Sequence, residues 1–401
     1  MTMERREADI FISGGGIAGQ VAAASFAARG YSVVMVDPVP PVTEADLDGS
    51  DLRSTAFLQP ARDLFEACGL WDLLEPYSKP LEQLAVIDTV GWPPEVRERR
   101  AFRASDVSDE PFGWNLMNWM VRRELWGYLQ NAENITALYG TGFKSLVNRT
   151  SEVIVALTDG STVRAKLAIA ADGKFSPLRE AAGIEVTTTR YGQKSLAFTV
   201  THDVPHDNIS TEIYNEGGPF TIVPLPDIDG QHASAIVWMN LGPRAVELME
   251  MPVPAFEDVM QARSTNLLGR MRLKGRRSIW PIITQTADRL VEGRVAVMAE
   301  AAHALPPIGA QGLNTSLNDL AELLTQVESA PNDPGAPGVL AAYEAARKPD
   351  IARRARAIDL FNRVARSGEA GLQAVRLLGL KAIHDIKPVR TKVMRAGLGP
   401  K

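Results

Sequence analysis

One cysteine, Cys68, stands in 401 residues, so no intramolecular disulfide can form, and neither a zinc cluster nor a paired-cysteine redox motif can be built. Any redox chemistry must then reside in a bound cofactor. Histidine is scarce, at five, and no Ser-His-Asp or paired-carboxylate pattern stands out. No stretch reaches the roughly 20 apolar residues that a bilayer crossing needs. The start, MTMERREADIFI, lacks the apolar core and small-residue cleavage site of a secretory signal. The expectation is a cytoplasmic protein, soluble or peripheral at the inner membrane surface. A basic excess is missing as well, since the formal net charge is -5, which argues against nucleic acid as a partner.

What is present is ordinary globular material, 45% hydrophobic and 23% charged, long enough for two domains. Residues 9–13 form an apolar run that meets three glycines, 17–29 carry small and apolar residues at helical spacing, and 31–36 read as a second buried strand. That is the start of a βαβ unit. Residues 152–157 and 162–171 flank Asp159-Gly160-Ser161, a hairpin signal. From 194 to 240 short runs rich in Thr, Val, Ile and Phe alternate with turn groups, which fits an antiparallel sheet. Residues 294–298 return to a buried strand, and Leu313 onward and most of 338–366 read as helix.

Gly14, Gly16 and Gly19 form Gly-x-Gly-x-x-Gly between strand and helix, with Ile17 and Ala18 inside it and Asp37 at the end of the next strand. Gly14 allows the tight turn, Gly16 lets a pyrophosphate approach the backbone, and Gly19 permits close helix-to-strand packing. Asp37 stands where a ribose hydroxyl would be held. The triplet leaves NAD and FAD open, because both share the adenosine diphosphate half.

Two later segments carry more. One is Ala170-Ala171-Asp172-Gly173-Lys174-Phe175-Ser176-Pro177-Leu178-Arg179; the other runs from Arg294 through Ala299-Glu300-Ala301-Ala302-His303 to Pro306-Pro307-Ile308-Gly309-Ala310-Gln311-Gly312-Leu313-Asn314. In motif order and length the chain resembles the class A FAD-dependent aromatic hydroxylases. Asp51-Leu52-Arg53-Ser54-Thr55-Ala56, followed by Cys68-Gly69-Leu70-Trp71, is most similar to the ubiquinone-biosynthesis branch of that family.

The resemblance implies an α/β fold: a split Rossmann-like FAD-binding domain with an inserted antiparallel β-sheet substrate domain and C-terminal helices. Its FAD-binding parts would be residues 1–80, 111–185 and 286–340, its substrate domain 81–110 and 186–285, and its C-terminal helical region 341–401. FAD would be held by the fingerprint residues Gly14, Gly16, Ile17, Ala18 and Gly19, with Asp37, Arg53 beside the flavin, Arg122, Asp172 and Gly173. Glu300, Gly309, Gln311, Gly312, Leu313 and Asn314 complete the set. Pro307, Gly309 and Gly312 would form a flavin-facing loop whose helix start supports negative charge on the reduced flavin. His303 adjoins this loop, and its reading as hydrogen-bonded structure is favoured over a proton-donor role. No metal is implied. NADH or NADPH would reduce FAD transiently, and one atom of O2 would pass to an electron-rich phenolic ring.

Two departures from the family pattern stand out, Ala299-Glu300 for Gly-Asp and Ala310 for the first glycine of Gly-Gln-Gly. Alanine serves in such places unless the backbone needs a positive φ. Trp114, Trp119 and Trp126, or Phe198, Phe220 and Trp238, would line a substrate route or fill the core. A basic, partly amphipathic end, with Arg376, Lys381, Lys387, Arg390, Lys392 and Arg395 beside Leu377, Leu378, Leu380, Ile383 and Ile386, suits anionic lipid, a partner protein or its own domain. A homo-oligomer or a ubiquinone-biosynthesis complex remains open as the assembly. The alternative readings are a non-catalytic FAD-binding subunit of a biosynthetic complex and an FAD-dependent prenyl-lipid reductase.

Overall fold

The computed structural model describes residues 4–398; residues 1–3 and 399–401 lie outside it. The strand Arg5–Ser13 pairs in parallel with Val33–Asp37 on one side and Thr162–Ala170 on the other, and Val295–Val297 extends the sheet in parallel beyond Thr162–Ala170. Register aligns Ser13 with Ala170 and Ala170 with Val297. The three strands therefore end side by side, and ligands of open α/β sheets bind at such carboxyl ends. The hairpin of Val153–Leu157 and Thr162–Ala170 runs antiparallel around Asp159-Gly160-Ser161.

The helix Ile17–Ala28 is buried over its first ten residues. Its alanines make this burial feasible, because small side chains let a helix lie close to a sheet and cost little entropy in helical form. It stops at Arg29 and Gly30, the latter at φ 85°, a left-handed position that glycine takes readily.

A second sheet of eight strands holds Val186–His202, Gln231–Leu241, Gly218–Ile228 and Ile209–Asn215 as antiparallel neighbours. Gln83–Val90 joins its edge in parallel with Ile209–Asn215, so the sheet is antiparallel except at that one pair. Segment 81–110 contributes two strands to it, Gln83–Val90 and Glu95–Arg103. Helices Gly242–Glu250 and Val253–Arg263 cover one face, packing Ala245, Leu248, Phe256 and Met260 onto Leu196, Phe198, Phe220, Ile236 and Trp238.

Cys68 is buried and its thiol donates to the Leu64 carbonyl at 2.6 Å. Burial pushes that thiol up, so it is a poor nucleophile.

His202, His206 and His232 cluster on the inserted sheet, with ring centroids 6.0 and 6.2 Å apart. His206 Nδ1 accepts from Asn208 N at 3.1 Å, and its Nε2 lies 3.1 Å from the Leu225 carbonyl. His202 Nδ1 lies 2.8 Å from the Val204 carbonyl. Each network suits a neutral ring, and burial holds both rings below the ordinary histidine range. The unfolded chain therefore takes up protons first as pH falls. Stability is expected to be full above about pH 6.5 and to decline below it, by at most about 1.4 kcal/mol per pH unit for each ring. Urea midpoints at pH 7.5 and 5.5 check this, and the pair His202→Asn and His206→Gln should flatten the dependence.

Candidate active site

The turn after Arg5–Ser13 is fixed by close approach. Gly14 sits at φ 113°, and a Cβ there would lie 2.3 Å from the Ala171 carbonyl oxygen. A Cβ on Gly19 would lie 1.9 Å from the Gly14 carbonyl oxygen. A Cβ on Gly16 would meet nothing within 4 Å, so this is the side left open for a ligand. Asp37 accepts from Gly15 N at 2.7 Å and from Val39 N at 2.8 Å, which sets its carboxylate against the glycine turn.

Asp172 lies beside this turn, but its carboxylate is engaged within the protein. It accepts from the hydroxyl of Ser13 at 2.8 Å, from Leu178 N at 3.3 Å, and from the hydroxyl of Ser176. Burial raises its pKa despite these bonds. Asp172 thus clamps two turns together, and the Gly173 backbone, at φ 83°, is the part of this motif left to meet a ligand.

Helix Gln311–Glu328 begins at Ala310 without a side-chain cap, and helix Ile17–Ala28 begins at Gly16 in the same way. Uncapped starts leave backbone N–H groups for a ligand and favour negative charge. Asn314 is spent elsewhere: its Oδ1 accepts from Leu58 N at 2.9 Å, and its amide donates to the carbonyls of Ala56 and Ala310 at 2.8 and 2.7 Å. It ties the helix start to the strand Ser54–Leu58. Gln311 is likewise engaged, donating to the Gly309 carbonyl at 2.9 Å and accepting from Arg354 at 2.5 Å. Leu313 packs against the main core, and Gly312 faces open space.

Arg53 forms a two-point ion pair with Asp51, Nε to Oδ1 and Nη2 to Oδ2 at 2.7 Å each, and lies 5.5 Å from the ring centroid of Trp280. It therefore spans from the nucleotide-binding half to the inserted sheet. Burial disfavours its charge, but Asp51 and then Glu300 hold it above the ordinary range. Glu300 is exposed, and its carboxylate accepts no hydrogen bond among the described residues. Arg122 has a buried Nε with no partner, a donor that a phosphate or hydroxyl oxygen would satisfy.

The two departures from the family pattern both fall at left-handed backbone positions. Ala299 has φ 56° and Ala310 has φ 55°, the left-handed region in which glycine is unstrained. That region costs a non-glycine residue roughly 1–2 kcal/mol, against about 0.5–1 kcal/mol of extra chain entropy lost by glycine. Ala310→Gly is therefore expected to stabilise the protein by roughly 0.5–1 kcal/mol, read as a higher urea midpoint at unchanged slope.

His303 is buried, with Nε2 2.6 Å from Asp319 Oδ2. Asp319 also accepts from Arg347 Nε at 2.8 Å and Ala299 N at 3.2 Å. The histidine belongs to a buried His-Asp-Arg group under the loop of residues 306–310 and not to an open site. Pro307 is partly exposed on that loop, while Ile308 beside it packs against Met239 and Trp280.

Phe198, Phe220 and Trp238 are core, the second of the two roles open to them from the sequence. Alternation along a strand sends successive side chains to opposite faces, and these three fall on the face covered by helices Gly242–Glu250 and Val253–Arg263. Trp280, which the sequence did not single out, is on the other face with Met239. Trp114 packs edge-on to Trp71 and Trp126 to Tyr139, whereas Trp119 packs with Leu225 and Ala235 beside the sheet.

Fold and site together define an FAD-binding flavoprotein of the hydroxylase class: a family model described as FAD binding domain matches residues 7–357, and the chain belongs to that family. It is 33% identical over 396 residues to a Rhodospirillum rubrum protein named ubiquinone hydroxylase UbiL, covering 98% of this chain and 90% of the relative. It is 23% identical over 405 residues to the 3-demethoxyubiquinol 3-hydroxylase of Escherichia coli, covering 99% and 100%. In fold it is similar to Pseudomonas aeruginosa PqsL bound to 2-aminobenzoylacetate, with TM-score 0.76, 21% identity and coverage of 92% and 99%. It is similar also to p-nitrophenol 4-monooxygenase PnpA of Pseudomonas putida, with TM-score 0.79, 16% identity and coverage of 100% of both chains.

Proposed function

We propose that this protein hydroxylates the ring of a polyprenylated phenol on the route to ubiquinone, using O2 and NADH or NADPH. The observation that carries the reading is the pair of uncapped helix starts, at Gly16 and Ala310, beside the open face of Gly16 and the unpartnered Nε of Arg122. These features fit a dinucleotide whose pyrophosphate and ring both carry negative charge. Bound FAD supplies the activated oxygen that enters the ring. The chain's own residues bind, orient and exclude water. Gly14, Gly16 and Gly19 admit the pyrophosphate, Asp37 and Glu300 offer carboxylate acceptors to hydroxyls, and Arg53 closes the space between the two halves against Trp280. Residues 1–80, 111–185 and 286–340 serve the cofactor in this reading, while 81–110 and 186–285 serve the substrate.

The purified protein should be yellow, and a prenylated phenol should accelerate its NADH or NADPH oxidation and yield a product heavier by one oxygen atom. A bound flavin that no phenol stimulates would support the non-catalytic subunit instead.

A lipid-soluble substrate gives the C-terminal helices a use. Among the described residues no helix is long and apolar enough to cross a membrane. Helix Ala370–Asp385 is inverted: Gln373 and Arg376 are buried, while Leu372, Val375 and Leu378 are exposed. Arg376 pairs with buried Asp88 at 2.5 Å, Lys381 with Glu98 at 3.1 Å and Arg390 with Asp106 at 3.9 Å, so half of the basic set turns inward. Lys387, Lys392 and Arg395 stay exposed beside Ile386, Val389 and Val393. Apolar and cationic exposure together support peripheral contact with an anionic membrane. Cosedimentation with phosphatidylglycerol vesicles, weakened by salt and by charge reversal of the three cations, is the expected result. Equal retention on phosphatidylcholine vesicles would contradict it.

A further inference from the structure

One row across the middle of the eight-stranded sheet faces the cofactor half without being covered by it. Register pairs Glu212 with Thr221, Thr221 with Val237, Val237 with Ala197 and Ala197 with Ser278, so these side chains share a face. Met239 and Trp280 lie two residues along from Val237 and Ser278 and share it too. At one end of this face Met239 packs with Ile308 of the flavin-facing loop and Ile358. At the other, Leu225 and Ala235 pack with Met117 and Trp119. Between these sealed ends, Glu212, Thr221 and Val237 remain partly exposed. Partial exposure in the middle of a sheet marks a gap between two layers, and here the gap opens beside the loop that would face the flavin.

Within that gap Glu212 is the only carboxylate in the row. The Tyr214 hydroxyl donates to Glu212 Oε2, and Tyr214 is itself buried against Phe361. Glu212 Oε1 has no hydrogen-bond partner among the described residues. The carboxylate is thus held by one oxygen and presents the other.

We propose that Glu212 recognises the substrate, with Oε1 accepting a hydrogen bond from the hydroxyl of a phenol seated between this row and the flavin-facing loop, and with Tyr214 fixing the carboxylate. The assignment rests on the ring-hydroxylase reading above. If the proton then moves, the phenol O–H bond breaks, an O–H bond forms at Glu212 Oε1, and the ring oxygen keeps the electron pair, making the ring more electron-rich. Burial raises the proton affinity of Glu212, which suits an acceptor. A ligand lacking the hydroxyl would leave a half-buried carboxylate unpaired, the situation in which polar sites discriminate most strongly.

The test is a flavin-fluorescence titration of the holoenzyme with 2-prenylphenol and with its methyl ether. The wild type should bind the phenol on the order of ten- to a hundredfold tighter, as a hydrogen bond to a charged group provides. This preference should fade as pH falls, and should do so above the ordinary glutamate range. Glu212→Gln should shrink the ratio to about fivefold or less, the scale of a neutral hydrogen bond, with FAD content and melting temperature retained. Tyr214→Phe should give an intermediate ratio. An undiminished ratio in Glu212→Gln, or a wild-type ratio near one while the phenol still stimulates NADH or NADPH oxidation, overturns the assignment alone. If no phenol stimulates oxidation, the hydroxylase reading falls and the assignment falls with it.

Discussion

Replacing Gly14 with alanine is expected to give a colourless protein of reduced stability. Two independent costs meet at this residue. Its φ of 113° lies where an L side chain is strained, at about 1–3 kcal/mol. The new Cβ would also lie 2.3 Å from the Ala171 carbonyl oxygen and 2.7 Å from the Asp172 Cα, and overpacking of rigid backbone costs a further 1–3 kcal/mol or so. Neither neighbour can yield cheaply. Ala171 N donates to the Ser13 carbonyl at 2.8 Å, and the Ser13 hydroxyl donates to Asp172, so relief of the clash means parting two adjacent parallel strands at their carboxyl ends. The expected loss is about 3–5 kcal/mol, with FAD uptake abolished because the turn proposed to admit the pyrophosphate no longer closes. Gly16→Ala is the informative comparison. Its Cβ would enter open space, so stability should hold while flavin affinity falls. Equal stability loss in both variants would refute the distinct roles given to the two glycines.

Asp319→Ala is the second large effect, and it acts from beneath the site. The carboxylate is fully buried and accepts from His303, Arg347 and Ala299 N. Removing it leaves the buried Arg347 guanidinium with Asp350 alone, at 2.9 Å, and breaking a buried pair from one side typically costs about 3–5 kcal/mol, of which the Asp350 pair offsets a part. It also frees the backbone of Ala299, whose left-handed conformation the Asp319 bond helps to hold. Urea unfolding should show the full loss, and FAD should dissociate more readily from the folded remainder. His303→Gln should cost less, because the charged Arg347 to Asp319 pair survives. An Asp319→Ala variant within about 1 kcal/mol of wild type would contradict the buried-pair argument.

The two predictions differ in how visible their residues are in the sequence. Gly14 is legible because its task is local: a turn between a buried strand and a helix requires a residue without a side chain, and the neighbouring letters show both elements. Asp37 is legible for the same reason, as the acid ending the next strand. Asp319 is not. It sits within an ordinary helical pattern, and only the packing of helix Gln311–Glu328 against Pro337–Ala365 and His303 makes it the centre of a charged group. Asp172 and Asn314 fall between these cases. Their motifs mark the turns they sit in, yet their side chains are consumed in joining strands and helix, and the sequence cannot tell a carboxylate that meets a ligand from one that meets a serine.

By itself the sequence determined the opening βαβ unit, the glycine turn and the antiparallel pattern of the inserted segment, because these follow from periodicity and from the steric demands of single residues; the flavin was implied by the resemblance its motifs carry. It also showed which residues of a strand share a face. Which face meets which neighbour was decided by tertiary structure alone: Trp238 went to the helices, Trp280 to the side of Ile308, Arg376 inward and Leu378 outward. Alternation is a local property of the backbone, whereas the choice of partner depends on contacts between residues far apart in the chain, whose free energy no local window contains.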